Sequence, residues 1–190
     1  MTESPGRQVV GLVLAAGAGT RAGGPKALRR SAAGTAWVQI VVRRLLDGGC
    51  DRVVVVLGAS AEAAEALVPT EATVVVCQRW TDGLSASLQA GIVAAAAVDP
   101  PPTAVAITPV DIPDGNPATL RRLLLRLAPD CLVRASFAGR PGHPVLIGSA
   151  HWQLFVHSLS GDSGGADYLR THGVVAVDCS DLESGHDVDA

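Results

Sequence analysis

Apolar residues along this chain come in short, β-branched runs separated by longer stretches with helical spacing. Gln8 to Leu14 (QVVGLVL), Arg52 to Leu57 (RVVVVL), Thr73 to Val76 and Ala104 to Thr108 (AVAIT) are almost continuously apolar, as strands buried on both faces of a parallel sheet are. Between them, apolar positions recur every three or four residues from Trp37 to Leu46, with Arg43 and Arg44 expected to face outward, and again from Leu84 to Val98. Ser60 is the expected N-cap of an Ala/Glu-rich helix through Leu67, and Asn116 that of a helix from about Pro117 to Leu127; both residue types favour that position because a side-chain oxygen can accept from a free first-turn amide.

Beyond Pro129 the alternation loosens. Leu132 to Ser136 and Pro144 to Ile147 read as strands flanking a turn over AGRPGH, residues 138–143. Helical segments near Ala150 to His157 and Ala166 to His172 precede a last strand at Val174 to Val177. Regular β/α alternation favours right-handed crossovers. The expected fold is therefore an α/β, three-layer α/β/α sandwich, with a Rossmann-like, mostly parallel sheet and a small antiparallel excursion, in one domain over residues 1–190.

Composition narrows the classes of function. With 48% apolar and 17% charged residues the chain is expected to fold. Lys and Arg number 15 against 18 Asp and Glu, for a net charge of −3, and no basic run stands out; a surface built to neutralise nucleic acid or an anionic membrane is not expected. No apolar segment approaches the ~20 residues of a membrane span. Cys50, Cys77, Cys131 and Cys179 lack metal or redox spacing and read as small buried hydrophobes, and a reducing cytoplasm is the expected setting.

The chemistry concentrates in Leu12 to Leu28, LVLAAGAGTRAGGPKAL, where Gly17, Gly19, Gly23 and Gly24 are interleaved with Arg21 and Lys26. Glycines allow backbone amides to approach an anion, and the two cations offer a forked donor and a point charge to the same oxygens. A P-loop is excluded, since Pro25 precedes Lys26 and Ala27 stands where a hydroxyl is needed. Gly17 to Ala22 fits G-x-G-x-x-[GA], but the dinucleotide reading needs a helix on that loop, which Gly23-Gly24-Pro25 would disrupt, and Leu57-Gly58-Ala59 supplies no ribose-binding acid. Asp111, in ITPVDIP, follows an apolar strand where α/β sheets place ligands, at the carboxyl edge. A helix starting near Leu84 or Ser85 would present an anion-attracting N-terminus.

LAAGAGTRAGGPKAL resembles the L-A-A-G-x-G-x-R-x-G-x-x-K signature of the MobA-like NTP transferases, and CQRWTDGLSASLQAG, ITPVDIP, GRPGHPV, LSGDSGGADYL and HDVDA resemble further motifs in family order. The G-x-x-G-H-P form is similar to that of the molybdenum cofactor cytidylyltransferase-like branch. The resemblance implies a nucleotide-diphospho-sugar transferase-like fold and a nucleotide site at Leu14, Ala15, Ala16, Gly17, Gly19, Arg21, Lys26, Gly83 and Ser87. It also implies an acceptor site at Gly142, His143 and Pro144, and Mg²⁺ held by Asp111 with Asp187 and Asp189. Arg21, Lys26 and Asp111 would be the catalytic residues. The implied reaction is transfer of CMP from CTP onto a phosphorylated acceptor, molybdopterin being favoured, with delivery of the loaded cofactor to a molybdoenzyme. A non-catalytic nucleotide-binding or chaperone-like module and an NAD(P)-dependent oxidoreductase are the alternatives.

Overall fold

In a computed structural model, which describes residues 8–20 and 23–185, seven strands form one sheet in the order β3-β2-β1-β4-β6-β5-β7. They are β1 (Val9–Ala15), β2 (Arg52–Leu57), β3 (Ala72–Val76), β4 (Ala104–Pro109), β5 (Leu132–Phe137), β6 (Arg140–Gly148) and β7 (Val175–Asp178). Every neighbouring pair is parallel except the two made by β6, which runs antiparallel to both β4 and β5. The expected sandwich and its antiparallel excursion are both present.

Helices α1 (Trp37–Asp47), α2 (Ala61–Glu65) and α4 (Pro117–Leu124) cover one face of the sheet, and α3 (Leu84–Ala96), α5 (Trp152–Ser158) and α6 (Ala166–Thr171) the other. Strand alternation assigns side chains to these two cores. On β1, Val9, Val13 and Ala15 pack toward α1 while Val10 and Leu12 pack toward α3. On β5, Val133 and Ala135 join the first core and Leu132 the second, so Arg134 also points into the second face. The four cysteines are buried and unbridged. No helix of the described residues is long and apolar enough to cross a membrane.

Three local expectations need correction. Asn116 caps α4 as expected, its Oδ1 accepting from the Ala118 amide at 2.9 Å, but Ser60 lies in the left-handed region at φ 57° and makes no capping bond. The AGRPGH turn is shorter than anticipated. Ala138 (φ 50°) and Gly139 (φ 76°) alone make the reversal, a two-residue hairpin with two positive φ values, and Arg140 onward, including Gly142 and His143, belongs to β6. Arg44, finally, turns inward rather than toward solvent.

Candidate active site

β1 and β4 are neighbours, so the glycine-rich loop that leaves β1 and the Asp111 turn that leaves β4 emerge side by side at the carboxyl edge. The loop folds back on itself, with the Gly24 amide donating to the Gly19 carbonyl at 3.0 Å. Gly19 sits at φ 59°, and a Cβ there would overlap the Gly24 carbonyl, so the loop requires glycine. Among the described residues no α-helix begins on this loop: a 3-10 turn at Lys26–Leu28 follows, and α1 starts only at Trp37. The dinucleotide geometry is therefore not formed.

Lys26 Nζ donates to Asp111 Oδ2 at 2.7 Å, joining two residues for which the resemblance implies phosphate and metal roles. The other carboxylate oxygen, Asp111 Oδ1, is buried and has no hydrogen-bond partner among the described residues. A buried, orphaned carboxylate oxygen beside an anion-binding loop suits a hard divalent cation, which is commonly held by one or two carboxylates plus phosphate oxygens. No group of three or more His, Cys, Asp or Glu among the described residues could hold a metal without such help. Arg21, Asp187 and Asp189 lie outside the described residues.

Asp111 is bracketed by a device that sequence reading missed. Arg44 reaches from α1 to donate to the Ile112 carbonyl and, at 3.2 Å, to Thr108 Oγ1. Burial lowers the pKa of this guanidinium, and the carboxylates of Glu183 and Asp114 pull it back up. Glu183 in turn accepts from the Asn116 amide at 2.9 Å and from the Thr119 hydroxyl. This half-buried cation thus braces the Asp111 turn from α1, within the field of Glu183. The signal was there: Arg44 stands three residues after Val41 and seven after Trp37, both buried, at the margin of the apolar stripe.

Beside the ion pair a cavity of about 670 Å³ opens on the α3 face of the sheet. Its floor crosses four adjacent strands, through Leu14 of β1, Ile107 of β4, His143 of β6 and Arg134 of β5. Ala16, Gly17, Gly83 and Ser87 line it at one end, while Lys26 and Asp111 are not among its lining residues. Gly83, at φ 105°, starts α3, and a Cβ there would strike the Gly161 carbonyl, which also accepts from the Ser85 amide at 3.0 Å. The segment GDSGG is thereby pinned against the start of α3. His143 borders both this cavity and a second of about 630 Å³ that includes Gly142, Phe137 and Glu183; Pro144 is buried and lines neither. Burial pushes the His143 imidazole down to about 4, and Arg134 adds to the effect while the Ile107 carbonyl and Asp111 oppose it. His143 is thus neutral at physiological pH.

A closed glycine loop at a carboxyl edge, next to an orphaned acidic oxygen and a roomy cavity, defines a nucleotide-handling α/β enzyme. Residues 11–177 match the MobA-like NTP transferase domain, and the chain belongs to that family of nucleotidyltransferases. Among solved structures, Rv0371c from Mycobacterium tuberculosis H37Rv superposes with TM-score 0.78 at 29% identity over 96% of this chain and 93% of its own. The same protein is also known in complex with manganese (TM-score 0.75, 29% identity, 96% and 94% covered). A nucleotidyl transferase from Methanothermobacter thermautotroptrophicus gives TM-score 0.76 at 25% identity, covering 92% and 88%. A curated relative, nicotine blue oxidoreductase of Paenarthrobacter nicotinovorans, is 36% identical over 95% of this chain and 92% of its own. Its name denotes redox chemistry rather than nucleotidyl transfer.

Proposed function

We propose that the protein transfers CMP from CTP to the phosphate of a small acceptor, molybdopterin being favoured, and releases pyrophosphate. An acceptor phosphate oxygen forms the new bond to the α-phosphorus, and the bond from that phosphorus to the bridging oxygen breaks, its electron pair leaving with pyrophosphate. The observation that carries this reading is the Lys26–Asp111 pair at 2.7 Å, with Asp111 Oδ1 buried and unpartnered, against the closed glycine loop. Loop amides around Gly17 and Gly19, with Lys26 and Arg21, would hold the triphosphate and offset charge as it develops on the leaving oxygens. Gly83 and Ser87, at the start of α3, would border the nucleoside. His143, kept neutral, would seat the acceptor as a hydrogen-bonding group without adding charge. Asp111, with Asp187 or Asp189, would hold Mg²⁺, which when bound neutralises triphosphate charge. Positioning and electrostatics supply most of the rate in such chemistry.

The test is pyrophosphate release by the full chain with CTP, GTP or ATP, with molybdopterin and with or without Mg²⁺. CTP and Mg²⁺ together should give the fastest release, and release requiring neither would overturn the reading. One observation favours a second reading: the relative at 36% identity is named an oxidoreductase. In that reading NADH or NADPH would donate hydride to an apolar acceptor in the cavity. Loss of NADH or NADPH absorbance with no pyrophosphate formed would select it.

A further inference from the structure

Arg134 is the group in the large cavity that neither the sequence motifs nor the proposed chemistry uses. β5 buries Val133 and Ala135 in the first core and Leu132 in the second, so both its faces are covered. Position 134 therefore points into the second core, where its neighbour on the same face, Leu132, is apolar. Arg134 is half-buried there, and any of its donors held out of water needs a partner. Its Nε is buried with no hydrogen-bond partner, and no described residue forms a hydrogen bond or ion pair with its side chain. Burial lowers its pKa, and no carboxylate counters that. The walls around it are largely apolar, including Leu88, Ile107, Val145, Ile147, Phe155 and Leu169. Ala166, a small side chain, leaves the space open.

We propose that Arg134 is the anion-recognition residue of the acceptor site, and that the acceptor carries a phosphate or carboxylate that the guanidinium binds while the rest of the molecule lies along a largely apolar wall. The inference deepens the proposed function and rests on it for the word acceptor. The guanidinium fork suits both head groups, because two parallel N–H donors match two oxygens of either. A half-buried guanidinium whose buried Nε has no partner gains from an incoming anion, which supplies the acceptor that this N–H lacks. The apolar wall selects against small hydrophilic anions such as free phosphate. Arg134 and His143 then sort the acceptor end of the cavity from the nucleotide end at Gly17, Gly83 and Ser87.

Titration of the full chain with hexyl phosphate, hexanoate and neutral 1-hexanol, followed by tryptophan emission because Trp80 lines the same cavity, tests this. At least one anion should bind tenfold or more tighter than hexanol, and the two anions compared give the head group. Arg134→Met should bring anion and alcohol within twofold of each other, leave hexanol affinity unchanged and not lower the melting temperature. Arg134→Gln is the second neutral variant, read by the same outcomes if the first folds poorly. No anion preference in the parent chain, or a preference that survives both substitutions, would overturn the proposal. Binding of CTP with Mg²⁺ in the same samples should stay within twofold throughout. Failure of CTP to bind the parent would count against the triphosphate reading and leave the anion comparison to decide Arg134 by itself.

Discussion

Replacing Arg44 by Met removes the cation that spans α1 and the Asp111 turn while keeping the length of the stem. Two donations are lost, to the Ile112 carbonyl and to Thr108 Oγ1, and the charge on Glu183 loses its counterpart. Hydrogen bonds from a charged group contribute about 1.5–3 kcal/mol each. Relief of the guanidinium's own desolvation, which dominates its pKa, offsets part of that. The expected loss is about 3 kcal/mol, or ~6–12 °C in melting temperature for a chain of this size. Urea unfolding followed by tryptophan emission reads it. The double variant with Glu183→Gln should lose at least ~1 kcal/mol less than the sum of the singles, because the stranded carboxylate is gone. A loss under ~1 kcal/mol for Arg44→Met would refute the brace.

Two further predictions follow from the site. The native His143 imidazole is held to about 4 by burial, against ~6.5 unfolded, so between these values the unfolded chain takes a proton the native one refuses. Stability should be full above about pH 6.5 and fall toward pH 4 by up to ~3 kcal/mol, and His143→Gln should flatten that slope in urea titrations. Lys26→Met should cost about 1 kcal/mol of stability, since the pair is partly solvated, yet weaken CTP binding at least tenfold by calorimetry; equal losses in fold and binding would return Lys26 to a purely structural role.

What the sequence disclosed was what repeats or closes locally. Buried parallel strands announce themselves as unbroken apolar runs, and Gly19 and Asp111 stand where chain direction and strand ends dictate. Arg134 was not disclosed, because one Arg in LVRASF reads as an outward residue of a half-exposed strand. Only the tertiary packing, with Val133 and Ala135 in one core and Leu132 in the other, shows that β5 has no outward face. Arg44 is hidden for a related reason: adjacent arginines on a helix suggest a solvent face, and its partners come from segments 64 and 68 positions away. The glycines and proline of AGRPGH suggest a turn over the whole stretch, whereas positive φ at Ala138 and Gly139 completes the reversal.

Pyrophosphate release by Asp111→Asn, with CTP, molybdopterin and Mg²⁺, tests the central claim most directly. Asn keeps the size of the side chain and an oxygen that can accept from Lys26, so the fold should lose no more than ~1 kcal/mol. It removes the charge that would face the cation at the buried Oδ1. Loss of several kcal/mol of transition-state stabilisation, at ~1.4 kcal/mol per tenfold, predicts release at least about a hundredfold slower than the parent. A folded Asp111→Asn variant that releases pyrophosphate within about tenfold of the parent, on the same rate scale, would contradict the account.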